Sequence, residues 1–338
     1  VPDINLTTNY HLREDIPAAY SSVNIILDKK NSVKLGLRYE FTNTNLGMPM
    51  HMDIVDKHYG ELFPSFFATH KFDDDNSLNV SYTRRITRPT FNDLAPFVLF
   101  LDPNTFISGN SALQPSISNS VSASWSVQQF LFSASYNDEK NYIASFQTSV
   151  DSVTNKEYLI SQNLPGLKTF AVTVSLPFTI TNWWNMQNNI IGRWQKVNAI
   201  FNNNPFTVEQ ENFSINSTQT FTLPKDFNIE AQGYYRSGSL FGTSMAKAMG
   251  ALNIGLQKKM KNNKSKITFK VSDVFNTLVI KISNNFPQQN LITHGNFQFV
   301  PRTFSLTFSH SFGNKNLKAN REKSAAAEED RSRAETKF

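Results

Sequence analysis

The sequence predicts an all-β protein, an antiparallel transmembrane β-barrel that is incomplete in this chain. Three observations carry the prediction. Apolar and polar residues alternate with a period of two through most of the chain, the repeat of a strand with one apolar and one polar face. No apolar run approaches the roughly 20 residues that a transmembrane helix needs, and the mean hydropathy is −0.38. The polar breaks between the alternating stretches come in two sizes, short and long by turns. Alternation by itself leaves two partners for the apolar faces: another sheet in a soluble protein, or lipid in a barrel. The order of the breaks matches an outer-membrane barrel, with short periplasmic turns and longer extracellular loops.

Composition narrows the choice. The 338 residues suffice for one large barrel or two ordinary domains, and they include 29 Phe, 10 Tyr and 4 Trp against only 18% charged residues. Cysteine is absent, which excludes disulfides and thiolate metal sites. The formal charge of +6 is diffuse. Lys and Arg stand singly on polar strand faces rather than in a stripe, so no nucleic-acid partner is expected. The chain begins with Val and shows no basic segment followed by an apolar one. It is therefore expected to be the C-terminal part of a longer protein, with the signal peptide elsewhere.

Residues 1–17 show no periodicity and are expected to be loop or the start of a fragment; the barrel is expected over 18–312. Val33, Leu35, Leu37, Tyr39 and Phe41 share one face, opposite Lys34, Gly36, Arg38 and Glu40. Leu78, Val80 and Tyr82 alternate with Ser77, Asn79 and Ser81, and Val121, Ala123, Trp125 and Val127 alternate with serines. Phe170, Val172, Val174, Leu176 and Phe178 repeat the scheme, as do Phe227, Ile229, Ala231 and Tyr235. Ile267, Phe269, Val271 and Phe275 continue it, but Asp273 falls on the apolar face, which predicts a bulge or a position at the membrane edge. The last strand, 302–312, sets Phe304, Leu306, Phe308, His310 and Phe312 against Thr303, Ser305, Thr307, Ser309 and Ser311. About thirteen strands result, many longer than the 9–11 residues that cross a bilayer. An odd number leaves open edges, so the missing strands are expected upstream. Residues 313–338 mix both charge signs without periodicity and read as a solvated periplasmic tail.

The short breaks are 28–31, 72–76, 127–129, 223–226 and 258–264; the long or varied ones are 46–60, 88–115, 151–157, 198–206, 236–242 and 284–290. The 88–115 loop is the candidate ligand contact. Phe91, Phe97, Phe100 and Phe106 stand there among Asn92, Asp93, Asp102 and Asn110. Aromatic faces beside amides and carboxylates suit a sugar or an organic ligand; the competing reading packs the rings within the loop. Arg38 and Glu40 both face the lumen and are expected to pair in a polar network, with contact to a plug as a second role. Trp183 and Trp184 follow a periplasmic turn and suit the headgroup level.

Other motifs carry less. His51, Asp53, Asp56 and His58 have metal-ligand chemistry in one stretch, but a polar loop is the simpler reading and no metal is assigned. Asp73–Asp75 would open a calcium loop, yet Leu78 and Arg84 stand where Gly and Glu are required. Ser244-Met-Ala-Lys247 matches the serine β-lactamase S-x-x-K, but a strand start points Ser and Lys to opposite faces and the partner motifs are missing. No catalytic residue and no cofactor is assigned; the protein is not expected to be an enzyme.

Several stretches in order resemble the outer-membrane β-barrel family of Bacteroidetes, a branch of the TonB-dependent receptors. GLRYEFTNT (36–44), LFPSFFATHKF (62–72), SYTRRITRPTFNDLAPF (81–97), GNSALQP (109–115), FTLPKDFNIEAQGYYRSG (221–238), GLQKKM (255–260) and VSDVFNT (271–277) carry the resemblance. Ala95 and Ser111 depart from it, where Asn and Pro would be expected. The resemblance implies a barrel of about 22 strands in the whole protein, consistent with the larger plugged barrels. It further implies uptake of an unidentified nutrient ligand, with TonB–ExbB–ExbD acting through an N-terminal plug outside this chain. Phe304, Leu306, Phe308 and Phe312 resemble the signal read by the outer-membrane assembly machinery. Two other functions stay open: a non-transporting barrel acting as adhesin or surface protein, and a soluble all-β carbohydrate-binding protein.

Overall fold

The computed structural model describes residues 9–49, 51–151, 154, 156–201, 204–260, 264–286, 291–298 and 300–312. The tail expected at 313–338 lies outside the described residues.

One long antiparallel sheet forms a wall. Strands β1 (His11–Asp15) and β2 (Ala18–Ile26) pair in succession with β3 (Asn31–Met48), the break between them falling at Ile16 and Pro17. β4 (His51–Asp73) and β5 (Asn76–Thr87) follow. A helix, α1 (Phe91–Leu94), and a hairpin of β6 (Val98–Asp102) and β7 (Thr105–Ser108) then leave the wall. The wall resumes with β8 (Ser116–Val127), β9 (Phe130–Asp151), β10 (Lys156–Thr181), β11 (Trp184–Phe201), β12 (Asn204–Leu223) and β13 (Phe227–Arg236). A second hairpin, β14 (Ser239–Phe241) and β15 (Ser244–Ala246), precedes β16 (Met249–Lys259) and β17 (Ser265–Ser272). A third, β18 (Ile280–Phe286) and β19 (Leu291–Phe297), precedes the last strand, β20 (Thr303–His310). The wall order is β1-β3-β4-β5-β8-β9-β10-β11-β12-β13-β16-β17-β20, with β2 continuing β1. That is thirteen positions, the number the alternation predicts.

The register carries each apolar face across the wall. Tyr82 lies opposite Val121, Val121 opposite Tyr136, Tyr136 opposite Phe170, and Phe170 opposite Trp194. These faces are not packed on another sheet: Leu37 is 51% exposed, Val121 50% and Leu306 75%. That arrangement removes the soluble sandwich and leaves lipid as the partner. The opposite face is hydroxyl and amide, cross-linked by Thr69 to Asn79 (2.7 Å), Ser81 to Ser122 (2.7 Å) and Ser175 to Asn189 (2.6 Å). Rings gather at the short-turn end, where indoles suit the headgroup layer. Trp183, Trp184 and Phe221 stack together, and Trp125 packs on Phe132 while its Nε1 donates to Asn76.

The structure departs from the sequence reading above the apolar band. Residues 46–60, 151–157 and 198–206, expected as loops, mostly extend the strands: β3 stays paired with β4 to Met48, and β11 with β12 to Phe201. Beyond the bilayer neither face must be apolar, so the alternation fades while the backbone ladder continues. His11–Asp15, expected as loop, pairs with the upper part of β3 for the same reason. Asp273 is not a bulge within a strand. It follows the end of β17 with φ +50° and caps the next turn, accepting from the amides of Thr277 and Leu278.

Candidate functional site

The buried hydrophobic clusters lie at the long-loop end, on the face opposite the apolar band. Leu46 shares a face of β3 with Glu40, Thr42 and Thr44, and pairs with Val55 of β4. Onto these two side chains pack Leu94, Ala95 and Leu113 from the 88–115 segment, with Phe91 and Phe97 alongside. The segment therefore folds into the lumen instead of outward.

Its root is held by charge. The Arg88 guanidinium donates to Glu40 (2.6 Å) and Thr42 (2.8 Å), and Arg38 meets the other Glu40 oxygen at 2.5 Å. Arg84 pairs with Glu61 (2.7 Å), and the Lys57 ammonium donates to the Leu113 carbonyl. Arg38 and Glu40 thus sit together in a lumen network as the sequence suggests. Arg88, Thr42, Glu61 and Arg84 were not singled out by sequence; the signal available was the R-x-x-RP run that ends β5. A turn later, Thr90 caps α1 with Asp93 in a capping box. Gly109 meets the helix end so closely that a Cβ there would come within 2.0 Å of the Ala95 carbonyl oxygen.

The far end is held by β10. β7 runs parallel to it, Thr105 to Ser108 against Glu157 to Ile160. Ser161 Oγ donates to Asp93 (2.7 Å), Asn110 donates to the Ser161 carbonyl (3.0 Å), and Asn163 bonds both backbone groups of Gln114. Asp93 and Asn110, expected as ligand contacts, thus already have partners within the protein, and Phe91 and Phe97 pack on the lumen cluster; Asn92 is half-buried. Phe100 remains 56% exposed at the hairpin, edge-on to Phe106, which stacks on Tyr158 at 5.5 Å under the Lys156 ammonium. Asp102 turns the hairpin; the amide of Asn104 and the Thr105 hydroxyl hold its carboxyl below the usual range. Val98, Leu99 and Leu101 are exposed beside Phe100. The aromatic, apolar and cationic groups of this hairpin form a surface suited to an organic ligand.

In the metal-ligand stretch Asp53, Asp56 and His58 do not converge, and the His51 side chain lies outside the described ones. Asp53 and Asp56 are an odd number of residues apart on β4 and so point to opposite faces; Asn45 donates to Asp53 and His58 pairs with Asp56 at 3.1 Å. Among the described residues no group of three or more such side chains could hold a metal ion.

A model of the outer membrane protein beta-barrel family matches residues 1–310. The chain belongs to that family. It is an outer-membrane protein of the all-β antiparallel barrel class. No curated protein matches it. Among solved structures it is similar to the siderophore receptor PirA of Pseudomonas aeruginosa, at 12% identity and TM-score 0.54, over 89% of this chain and 57% of that one. It is similar to the ferric-catecholate import receptor Fiu of E. coli, at 15% identity and TM-score 0.57, over 90% and 46%. PirA of Acinetobacter baumannii gives 16% identity and TM-score 0.54, over 88% and 46%. The family member described here spans about half the length of these receptors.

Proposed function

We propose that this chain is a wall segment of an outer-membrane receptor that imports a nutrient ligand, with TonB–ExbB–ExbD supplying the energy through a plug domain. The observation that carries the reading is the inward fold of the 88–115 segment. A surface adhesin presents its long loops outward, whereas a receptor needs chemically varied groups at the mouth of its lumen. The Ser, Thr and Asn face below that mouth is the polar interior of a conducting or plugged barrel. Among the described residues no strand pairs with the outer edges of β2 and β20, which supports closure through further strands, as in a barrel of about 22. Under this reading Phe100, Phe106 and Tyr158 contact the ligand, and Phe304, Leu306, Phe308 and Phe312 serve assembly. Iron chelates are the first ligand class to test, because that is what the structurally similar receptors import or bind.

The test is uptake by a deletion strain complemented with the full-length protein. Cells are given radiolabelled iron chelates, cobalamin and oligosaccharides, with and without a functional TonB. Accumulation of one class that needs both the protein and TonB is expected. Equal accumulation of every class with and without the protein contradicts import and favours the adhesin.

A further inference from the structure

The extracellular elements are joined into one roof over the lumen. From one side, β19, β18, β15 and β14 form a sheet of their own. From the other, β6 and β7 extend the wall sheet through the upper part of β10, which pairs with β9, and the 88–115 segment ties them to β3 and β4 by the Leu46 cluster and the Arg88–Glu40 pair. Within each half the strands are held by backbone ladders. The halves meet where the turn Phe241–Gly242–Thr243 touches Tyr142, Phe146 and Gln147 of β9.

That joint is made of side chains. The Gln147 carbonyl oxygen accepts from the Thr243 hydroxyl (2.8 Å) and the Thr243 amide (3.2 Å). Phe146 stacks on Phe241 at 6.4 Å, and the Gly242 backbone hydrogen-bonds to Tyr142. Gly242 has φ +58°, and a Cβ on it would come within 2.2 Å of Gln147. Behind these contacts Leu240 joins a small buried cluster with Ala144, Leu164, Val197 and Ala199.

The backbone that receives the turn is irregular. Seven non-glycine residues have positive φ among the described residues; five lie in turns or just beyond strand ends, and only Asn141 and Phe146 lie inside a strand. Both are in β9: Asn141 precedes the segment that receives the Gly242 turn, and Phe146 lies within it, in the bulge where the β9–β10 register shifts opposite Ser161. Asn141 stands across from Pro165, and neither enters the β9–β10 ladder, which runs from Gly166↔Lys140 to Leu164↔Tyr142. Proline has no amide to give, and β10 also parts from β11 above Gly166. The β9–β10 ladder thus skips one pair at Asn141 and Pro165 and resumes above it at Leu164↔Tyr142. Left-handed backbone at an aromatic residue is the kind of strain found at switches and clamps.

We propose that the seam between Phe241–Thr243 and Tyr142–Gln147 is the gate of the lumen: the roof opens there, the β14–β15 hairpin parting from β9, while the upper β9–β10 ribbon stays bonded to the 88–115 segment. The proposal rests on the lumen being a passage, but its test reads access, not uptake.

The chain has no cysteine, so Ser120→Cys, on the polar face of β8 beneath the roof, is the one thiol of this segment, and any cysteine elsewhere in the full-length protein is first replaced by serine. Intact cells are treated with a polyethylene-glycol maleimide too large for a closed roof, and labelling is followed as a gel shift. Gln147→Ala, which loses both hydrogen bonds, is expected to speed labelling about tenfold, and Thr243→Val, which loses only the hydroxyl one, about threefold. Thr243→Ser, which keeps the hydroxyl, is expected to label at the parent rate. Heat-modifiable gel migration establishes that each variant is folded. Thr105→Pro, which breaks the β7–β10 ladder, is the comparison: if it alone speeds labelling and folded seam variants do not, the gate lies elsewhere and the proposal fails. Unchanged labelling in all folded variants overturns it as well.

Discussion

Replacing Glu40 by Ala tests how the 88–115 segment is held in the lumen. Glu40 is 8% exposed and carries two arginines, Arg88 at 2.6 Å and Arg38 at 2.5 Å. Removing one partner of a buried ion pair costs about 3–5 kcal/mol, because the remaining charge is left without compensation. Arg38 is half exposed and regains water, so the cost falls on Arg88, whose side chain is only 8% exposed. At about 1.4 kcal/mol per tenfold, local opening of the segment's root should become roughly 10² to 4 × 10³ times more frequent. Hydrogen exchange of the amides from Thr90 to Leu94 in the detergent-purified full-length protein measures it. Exchange in β12 and β13 should stay unchanged, because the ladder there is distant from Glu40. The Glu40→Ala, Arg88→Ala double variant should cost little more than either single one, as expected of coupled partners. If the amides of α1 exchange within threefold of the parent rate, the charge pair does not hold the segment.

Three further outcomes follow from the packing and the turns. Leu46→Ala empties a fully buried position in the lumen cluster and should cost about 2–5 kcal/mol locally, seen as faster protease cleavage within 88–115 while the barrel keeps its heat-modifiable migration. Asp273→Ala strips the acceptor from the Thr277 and Leu278 amides, which should cost about 1–3 kcal/mol and lower the temperature at which the gel shift occurs. In the 28–31 turn, the Asn31 side chain and the Lys30 amide hold the Asp28 carboxyl below its ordinary value. A lowered folded-state value means that its contribution is complete above the ordinary aspartate pKa near 4 and is lost as pH falls through the lower one. The Asn31 amide signal should shift with acid in the parent and not in Asp28→Asn; an identical acid response in both would contradict the assignment.

The wall was legible because lipid and lumen impose opposite demands on successive residues. Ser118, Ser120, Ser122, Ser124 and Ser126 against Val121, Ala123 and Trp125 could be read with no structure. The roof was not legible for the converse reason. Above the bilayer both faces meet water or protein, so β3, β4 and β11 run on through residues that read as loop. The Arg38–Glu40 pair was visible as two lumen-facing charges two residues apart, but Arg88 joins it from 48 residues away in sequence. Gln147 and Thr243 are separated by 96 residues, and nothing local marks either. Asp93 reads as an exposed carboxylate in an aromatic loop; only the fold brings Thr90 and Ser161 to both of its oxygens.

The most direct test of the wall is single-cysteine scanning of β8, from Ser118 to Val127, in the full-length protein in outer membranes. A water-soluble maleimide should label cysteines placed at Ser118, Ser120, Ser122 and Ser124, while a lipid-dissolved quencher should reach spin or fluorescent labels at Val121, Ala123 and Trp125. Period-two alternation of the two accessibilities, with the serine positions aqueous, is the predicted result. Equal aqueous labelling of both sets would mean that the apolar face does not meet lipid, and would contradict the account.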